Sequence, residues 1–276
     1  MMTQQTSKVW FITGASRGLG RMWTEAALKR GDRVAASART LDSIAALNDK
    51  YEGQVLTLEM DVTNPAQVKD AVTKAHAHFG RLDIVLNNAG YPVISTIEDA
   101  NPEDIRALYE TNVIGPVTVI QAALPLLRQQ GYGHILGTSS SLGHLSIPIL
   151  GYYCSSKWAF EAVYESLAAE VAQFGINVTI IEPGAYATEF GSGELSSFFN
   201  GLDVYKNLKE QFMEGMKEMP RGNPAATPQA IFKIVDAENP PLRFNLGSYN
   251  LADLKAAYAS RIATWEAWDE ISRSAQ

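Results

Sequence analysis

The sequence predicts an α/β protein in which one doubly wound parallel sheet carries helices on both faces. Three observations predict it. Short β-rich runs alternate with longer helical stretches in repeated βαβ order. The runs are apolar on consecutive residues, as strands buried on both faces require. A glycine-rich turn joins the first strand to the first helix. The strands read in order as Val9–Thr13 and residues 33–37, 55–60, 84–86, 134–138 and 178–181. Helical patterns occupy 20–30, 64–79, 105–127 and 152–174. A last helix near 228–237, a strand at Arg243–Leu246 and a polar helix through 252–272 complete the chain. Residues 188–224 break the alternation, with Gly191, Gly193 and Gly201 among Phe190, Phe198 and Phe199, and read as an irregular substrate loop.

A chain of 276 residues, 46% hydrophobic and 19% charged, fits one domain spanning 1–276 with a sizeable core; residues from about 248 to 276 form a C-terminal helical extension. The net charge of −7, with Lys and Arg scattered, argues against nucleic acid or an anionic membrane as partner. Cys154 is the only cysteine, so no internal disulfide can form and a reducing compartment fits. The first residues lack a secretory pattern, and the apolar stretch 113–127 is interrupted by Gly115, Pro116, Thr118 and Gln121. A cytoplasmic protein is expected.

The turn Thr13-Gly14-Ala15-Ser16-Arg17-Gly18-Leu19-Gly20 brings bare backbone to a helix N-terminus, where free N–H groups favour a phosphate. Its G-x-x-x-G-x-G spacing is not that of a nucleotide triphosphatase. The second strand ends Ala36-Ser37-Ala38-Arg39-Thr40, without the acid that would hold both hydroxyls of an adenosine ribose. Arg39 and Arg17 can instead face a 2′-phosphate, which predicts NADP(H). Asp61, at the end of the third strand, reads either as an acceptor for the adenine amino group or as a helix N-cap before Pro65.

Tyr153 and Lys157 stand at i and i+4 on one helix face, where an ammonium can stabilise a phenolate. Ser140, in Ser139-Ser140-Ser141 at the end of the fifth strand, offers a hydroxyl to a substrate oxygen; its spacing to Gly143 selects it over its neighbours. Asn88-Ala89-Gly90 ends the fourth strand, and Asn112 lies inside the next long helix.

With these motifs together, the sequence resembles the short-chain dehydrogenase/reductase family from Thr13 to Thr188. The resemblance implies a Rossmann-type fold and a catalytic set of Asn112, Ser140, Tyr153 and Lys157. Asn112 would bend its helix to hold a water in a proton relay. The implied cofactor contacts are Gly14, Ser16, Arg17, Gly18, Leu19 and Gly20 of the turn, with Arg39, Asp61, Val62, Asn88, Ala89 and Gly90. Tyr153 and Lys157 join that set, with Lys157 on the nicotinamide ribose, and Pro183, Gly184 and Thr188 would hold the carboxamide. A homodimer or homotetramer through the helices at 105–127 and 152–174 is also implied.

The expected reaction is hydride transfer between NADP(H) and a carbonyl or secondary alcohol carbon. Leu145, Ile147, Ile149, Leu150, Tyr186, Phe190, Phe198 and Phe199 suggest a hydrophobic ketone or aldehyde. Two other readings are an epimerase or dehydratase of the extended branch and a non-catalytic NADP(H) sensor; retention of all four catalytic side chains disfavours the sensor. No serine hydrolase is read, because the Ser139-Ser140-Ser141 run lacks the second glycine of a nucleophile elbow. His76, His78, His134 and His144 show no metal-ligand spacing, and Tyr152 reads as a pocket or packing residue.

Overall fold

The computed structural model describes residues 7–190 and 201–276. The strands are β1 (Val9–Thr13), β2 (Arg33–Ala38), β3 (Val55–Glu59), β4 (Ile84–Asn87), β5 (Gly133–Thr138), β6 (Ile176–Pro183) and β7 (Arg243–Leu246). All pair in parallel, in the order β3-β2-β1-β4-β5-β6-β7. Parallel neighbours need a crossover, and the described helices supply it. They are α1 (Gly18–Lys29), α2 (Ala46–Lys50), α3 (Pro65–Phe79), α4 (Pro102–Tyr109), α5 (Gly115–Gln130), α6 (Gly151–Val171), α7 (Lys206–Glu218), α8 (Thr227–Val235), α9 (Leu251–Ala267) and α10 (Asp269–Arg273). The winding reverses between β1 and β4, which opens a crevice beyond their carboxyl ends.

The central strand shows why both faces are helical. Every residue of β1 is buried, and alternate side chains point to opposite faces. Val9 and Phe11 join Val72 of α3, Leu127 of α5 and Phe160 of α6. Trp10 and Ile12 join Trp23 and Leu28 of α1 and Ile231 of α8. Full burial of a large apolar side chain is worth about 1.5–3 kcal/mol before ordering entropy is counted, so this strand anchors both layers. Trp23 also donates its indole N–H to Thr227 at 2.8 Å, fastening α1 to α8.

Glycine decides how closely α6 approaches the sheet. A Cβ at Gly137 on β5 would lie 2.6 Å from Cζ of Tyr164, so any larger residue would push α6 away. Since α6 carries Tyr153 and Lys157, that contact sets their distance from the end of β5.

Three sequence expectations are corrected. The stretch 188–224 is not irregular throughout: α7 lies within it, and Tyr186 bridges to Gly222. Polar contacts to the loop after β4 hold α7 in place, with buried Lys209 2.8 Å from Asp99 and the Tyr205 hydroxyl 2.7 Å from Glu98. The 105–127 helix is interrupted by a π-helical turn at Glu110–Ile114, and the C-terminal helix breaks at Trp268. Gly191, Gly193, Phe198 and Phe199 lie outside the described residues. No helix among the described residues is long and apolar enough to cross a membrane.

Candidate active site

The glycine turn forms a backbone cradle at the sheet's switch point. Gly14 has φ 69° and Gly18 φ 58°, the left-handed region that glycine enters without steric cost. A Cβ at Gly14 would lie 2.9 Å from Cα of Ala89, and one at Gly18 would face Cβ of Thr188 at 3.9 Å. Gly20 packs directly on the Asn88 side chain. The turn is therefore bare where a pyrophosphate would approach, with the α1 N-terminus behind it and Thr188 in front. These features fit a nicotinamide dinucleotide. Asn88 ties the two switch-point loops together, donating to the carbonyls of Thr13 and Gly14 at 3.2 Å each. Thr13 answers by accepting from the amides of Asn88 and Ala89 at 2.9 and 3.1 Å. The sequence reading gave Thr13 no role of its own, because a threonine ending a strand carries no signal without its spatial partner.

Ser140, Tyr153 and Lys157 meet beyond the carboxyl end of β5. The Ser140 hydroxyl acts on the Tyr153 phenol at close range, and Leu142 N–H donates to Ser140 Oγ at 3.1 Å. Lys157 donates to the Thr138 carbonyl at 2.8 Å, and its Nζ lies 5.8 Å from the centre of the Tyr153 ring. Burial pushes the Tyr153 phenol far above its ordinary value, while the Ser140 hydroxyl pulls it down. Burial lowers Lys157 to about 8, against the attraction of Glu161. The resting pair at neutral pH is thus a protonated phenol beside an ammonium. Asn112, in the π-turn, accepts from Tyr91 N–H at 3.1 Å through Oδ1 and donates to the Tyr91 carbonyl at 2.9 Å and Ser156 Oγ at 3.1 Å through Nδ2. It fastens the loop after β4 to the catalytic helix.

The glycine cradle and the Ser-Tyr-Lys cluster both lie within the stretch that a family model matches. Residues 8–196 match the family model described as short chain dehydrogenase. The oxidoreductase BOA17 of Botryotinia fuckeliana is 37% identical over 270 residues, 96% of this chain and 98% of that protein. A short-chain dehydrogenase from Streptomyces avermitilis superimposes with a TM-score of 0.89 at 33% identity, covering 98% of this chain and 100% of that one. An alcohol dehydrogenase from Thermococcus sibiricus, complexed with 5-hydroxy-NADP, has a TM-score of 0.73 at 25% identity over 88% of this chain and 97% of its own. The chain belongs to the short-chain dehydrogenase family. It is an oxidoreductase of that family.

Other predicted positions of this short-chain dehydrogenase divide. Pro183 ends β6, and the adjoining Gly184 packs on Asn250 at the start of α9, where a Cβ would lie 2.6 Å from its Nδ2. Ser16, Arg17, Gly18 and Thr188 line one cleft of about 1050 Å³ between α1 and α8. Arg39 is exposed just past β2, and that cleft's lining does not include it. Leu19 packs into the core on the α1 face. Val62 sits against the head of α5, 2.9 Å from a Cβ placed on Gly115. The N-cap reading of Asp61 fails: Asn64 caps α3 by accepting from Ala66 and Gln67 N–H. Asp61 accepts from Thr63 N–H at 2.9 Å and Oγ1 at 2.8 Å instead.

The surroundings of Tyr153 are apolar. Leu150, Cys154, Ile94, Leu142, Ile147 and Phe212 cluster with it, and the half-exposed Phe190 ring lies 5.9 Å away. Ile94, Leu142 and Phe212 escaped the sequence reading, since only the folded α7 and the loop after β4 bring two of them here. Tyr186 packs instead in the core on the α1 face and against Gly222. Tyr152 donates its hydroxyl to the Ile97 carbonyl at 3.0 Å. Ile149, just before α6, adopts φ 72°, a conformation that costs a β-branched residue about 1–3 kcal/mol.

Proposed function

We propose that this chain is an NADP(H)-dependent reductase of hydrophobic ketones or aldehydes. The carrying observation is the convergence of Ser140, Tyr153 and Lys157 beside the glycine cradle, with burial keeping the phenol protonated. A bound nicotinamide supplies the hydride that the carbonyl carbon accepts. Ser140 donates a hydrogen bond to the carbonyl oxygen and polarises it. Tyr153 gives that oxygen its proton as negative charge develops there, and the nearby Lys157 ammonium stabilises the phenolate left behind. Asn112 holds the neighbouring loop and helix in register while the proton is replaced. The apolar cluster of Ile94, Leu142, Ile147, Phe190 and Phe212 favours a hydrophobic substituent on the carbonyl. Arg17 and Arg39, with no acid at the end of β2, support NADP(H) over NAD(H). The test follows NADPH absorbance across aliphatic, alicyclic and aromatic ketones and aldehydes. Absence of turnover throughout, with NADPH bound, would support a sensor instead.

Lys157 predicts the pH dependence. Its charge is present below its pKa of about 8 and is lost as pH rises through that value. Reduction should therefore show a falling limb near pH 8 in kcat/KM, which reports the groups of the free enzyme. Lys157→Arg should move the limb upward, since guanidinium keeps its charge. A profile flat to pH 10 in wild type would remove Lys157 from the proton step.

We also propose a cytoplasmic homodimer or homotetramer, joined through α5 and α6. Ile114, at the head of α5, and Trp158, on α6, are exposed large apolar groups on these helices. Light scattering at micromolar concentration should give two or four chain masses; a monomer would overturn the assembly.

A further inference from the structure

The segment that carries Ser140 is gripped on both flanks by groups that touch none of the reacting atoms. Glu161 on α6 and Glu182 on β6 are only 2% and 4% exposed. Two carboxylates buried together need a cation, and Arg243 of β7 supplies it, with Nη1 2.6 Å from Glu161 and 2.8 Å from Glu182. His144, Glu161 and Glu182 have the donor types of a metal site, but the guanidinium stands among them as the cation. The other oxygen of Glu161 accepts from Ser139 Oγ at 2.6 Å. This fixes the residue immediately before Ser140.

The second flank is held by the C-terminal extension. After Ser140 a single tight turn, Ser141–Gly143, leads to His144. The His144 ring is 2.6 Å from the Tyr258 hydroxyl through Nδ1 and 3.0 Å from Glu182 through Nε2. Its carbonyl accepts from Arg261 at 2.7 Å. Tyr258 and Arg261 lie on neighbouring turns of α9, and Arg261 also sits 4.8 Å over the Trp158 ring of α6. The only fixed bond to Ser140 Oγ from its own turn is the Leu142 amide, so shifts of that turn move the hydroxyl.

We propose that α9 and the Glu161–Arg243 cluster form a positioning device for Ser140, with Ser139 and His144 as its two points of attachment. The inference rests on the reading of Ser140 and Tyr153 given above. It assigns the extension a purpose: α9 completes the active site from outside, touching no reacting atom. Misplacement of a catalytic group by about 1 Å can cost on the order of a hundredfold in rate; loosening one of two attachments should cost less.

The test is a double-mutant cycle on the full chain. Ser139→Ala and Tyr258→Phe each remove one hydroxyl. Each should lower kcat for ketone reduction by about five- to tenfold, the scale of one hydrogen bond, with KM for NADPH unchanged. In a Ser140→Ala background neither should lower kcat further, because the group being positioned is already gone. Unchanged kcat in the single variants would overturn the proposal. So would an equal loss with and without Ser140, the mark of a merely structural role. If Tyr153→Phe and Ser140→Ala both retain full turnover, the active-site reading fails first, and this inference falls with it.

Discussion

Tyr153→Phe should lower ketone reduction by about a hundred- to ten-thousandfold, the range of a lost general acid, while NADPH affinity changes little. The variant keeps the ring in its cluster with Leu150, Cys154 and Ile147 and its contact to Phe190, so the effect reports the proton alone. Removing the buried hydroxyl beside Ser140 leaves the serine free to donate to substrate, and the residual rate measures polarisation by Ser140 together with proximity. Single-turnover rates and NADPH fluorescence titration check both halves. Near-normal turnover would show that another group gives the proton, and the phenol would then be only part of the apolar wall.

Arg39→Ala should weaken NADPH by about ten- to a hundredfold, the value of one charge-assisted hydrogen bond of ~1.5–3 kcal/mol, and leave NADH nearly unaffected. Adding Ala38→Asp should then reverse the preference. A carboxylate at the end of β2 accepts from the two ribose hydroxyls and repels a 2′-phosphate. The strand geometry allows the comparison, because Ala38 ends β2 in register with Glu59 of β3 and Arg39 follows it into solvent. Measuring kcat/KM with both cofactors in wild type, the single and the double variant separates charge from shape. Arg17 gives the contrast: it lines the cleft with Ser16, Gly18 and Thr188, so Arg17→Ala should weaken NADPH without restoring NADH. A wild-type preference for NADH would make both arginines solvated surface charge.

Much of this protein was legible because its signals are local. Strand β1 appears in the sequence with the bounds it has in the structure, since four consecutive apolar residues and a threonine before a glycine turn admit few other readings. Tyr153 and Lys157 were legible because four residues of helix put them on one face whatever the rest does. That the helix around Asn112 bends was implied by family resemblance alone, and the interruption itself was not read; nothing in the composition of Glu110–Ile114 distinguishes a π-turn from regular helix. Helix α7 was missed because its neighbourhood is rich in glycine and aromatics. What holds it is Lys209 on Asp99, more than a hundred residues earlier in the chain.

By itself the sequence determined the alternating architecture and the places of the glycine turn and of the side chains proposed for catalysis. Each depends on spacings of a few residues, over which helix and strand periodicity is rigid. Tertiary structure alone decided the environment of those side chains. It buried Tyr153 and Lys157 and so moved their proton affinities in opposite directions, and it placed Phe212 beside the phenol. It gathered His144, Glu161 and Glu182 from three separate segments around the half-buried guanidinium of Arg243. Desolvation and ion pairing act through space at a few ångströms, and the residues that meet there are separated along the chain by lengths over which no sequence period survives.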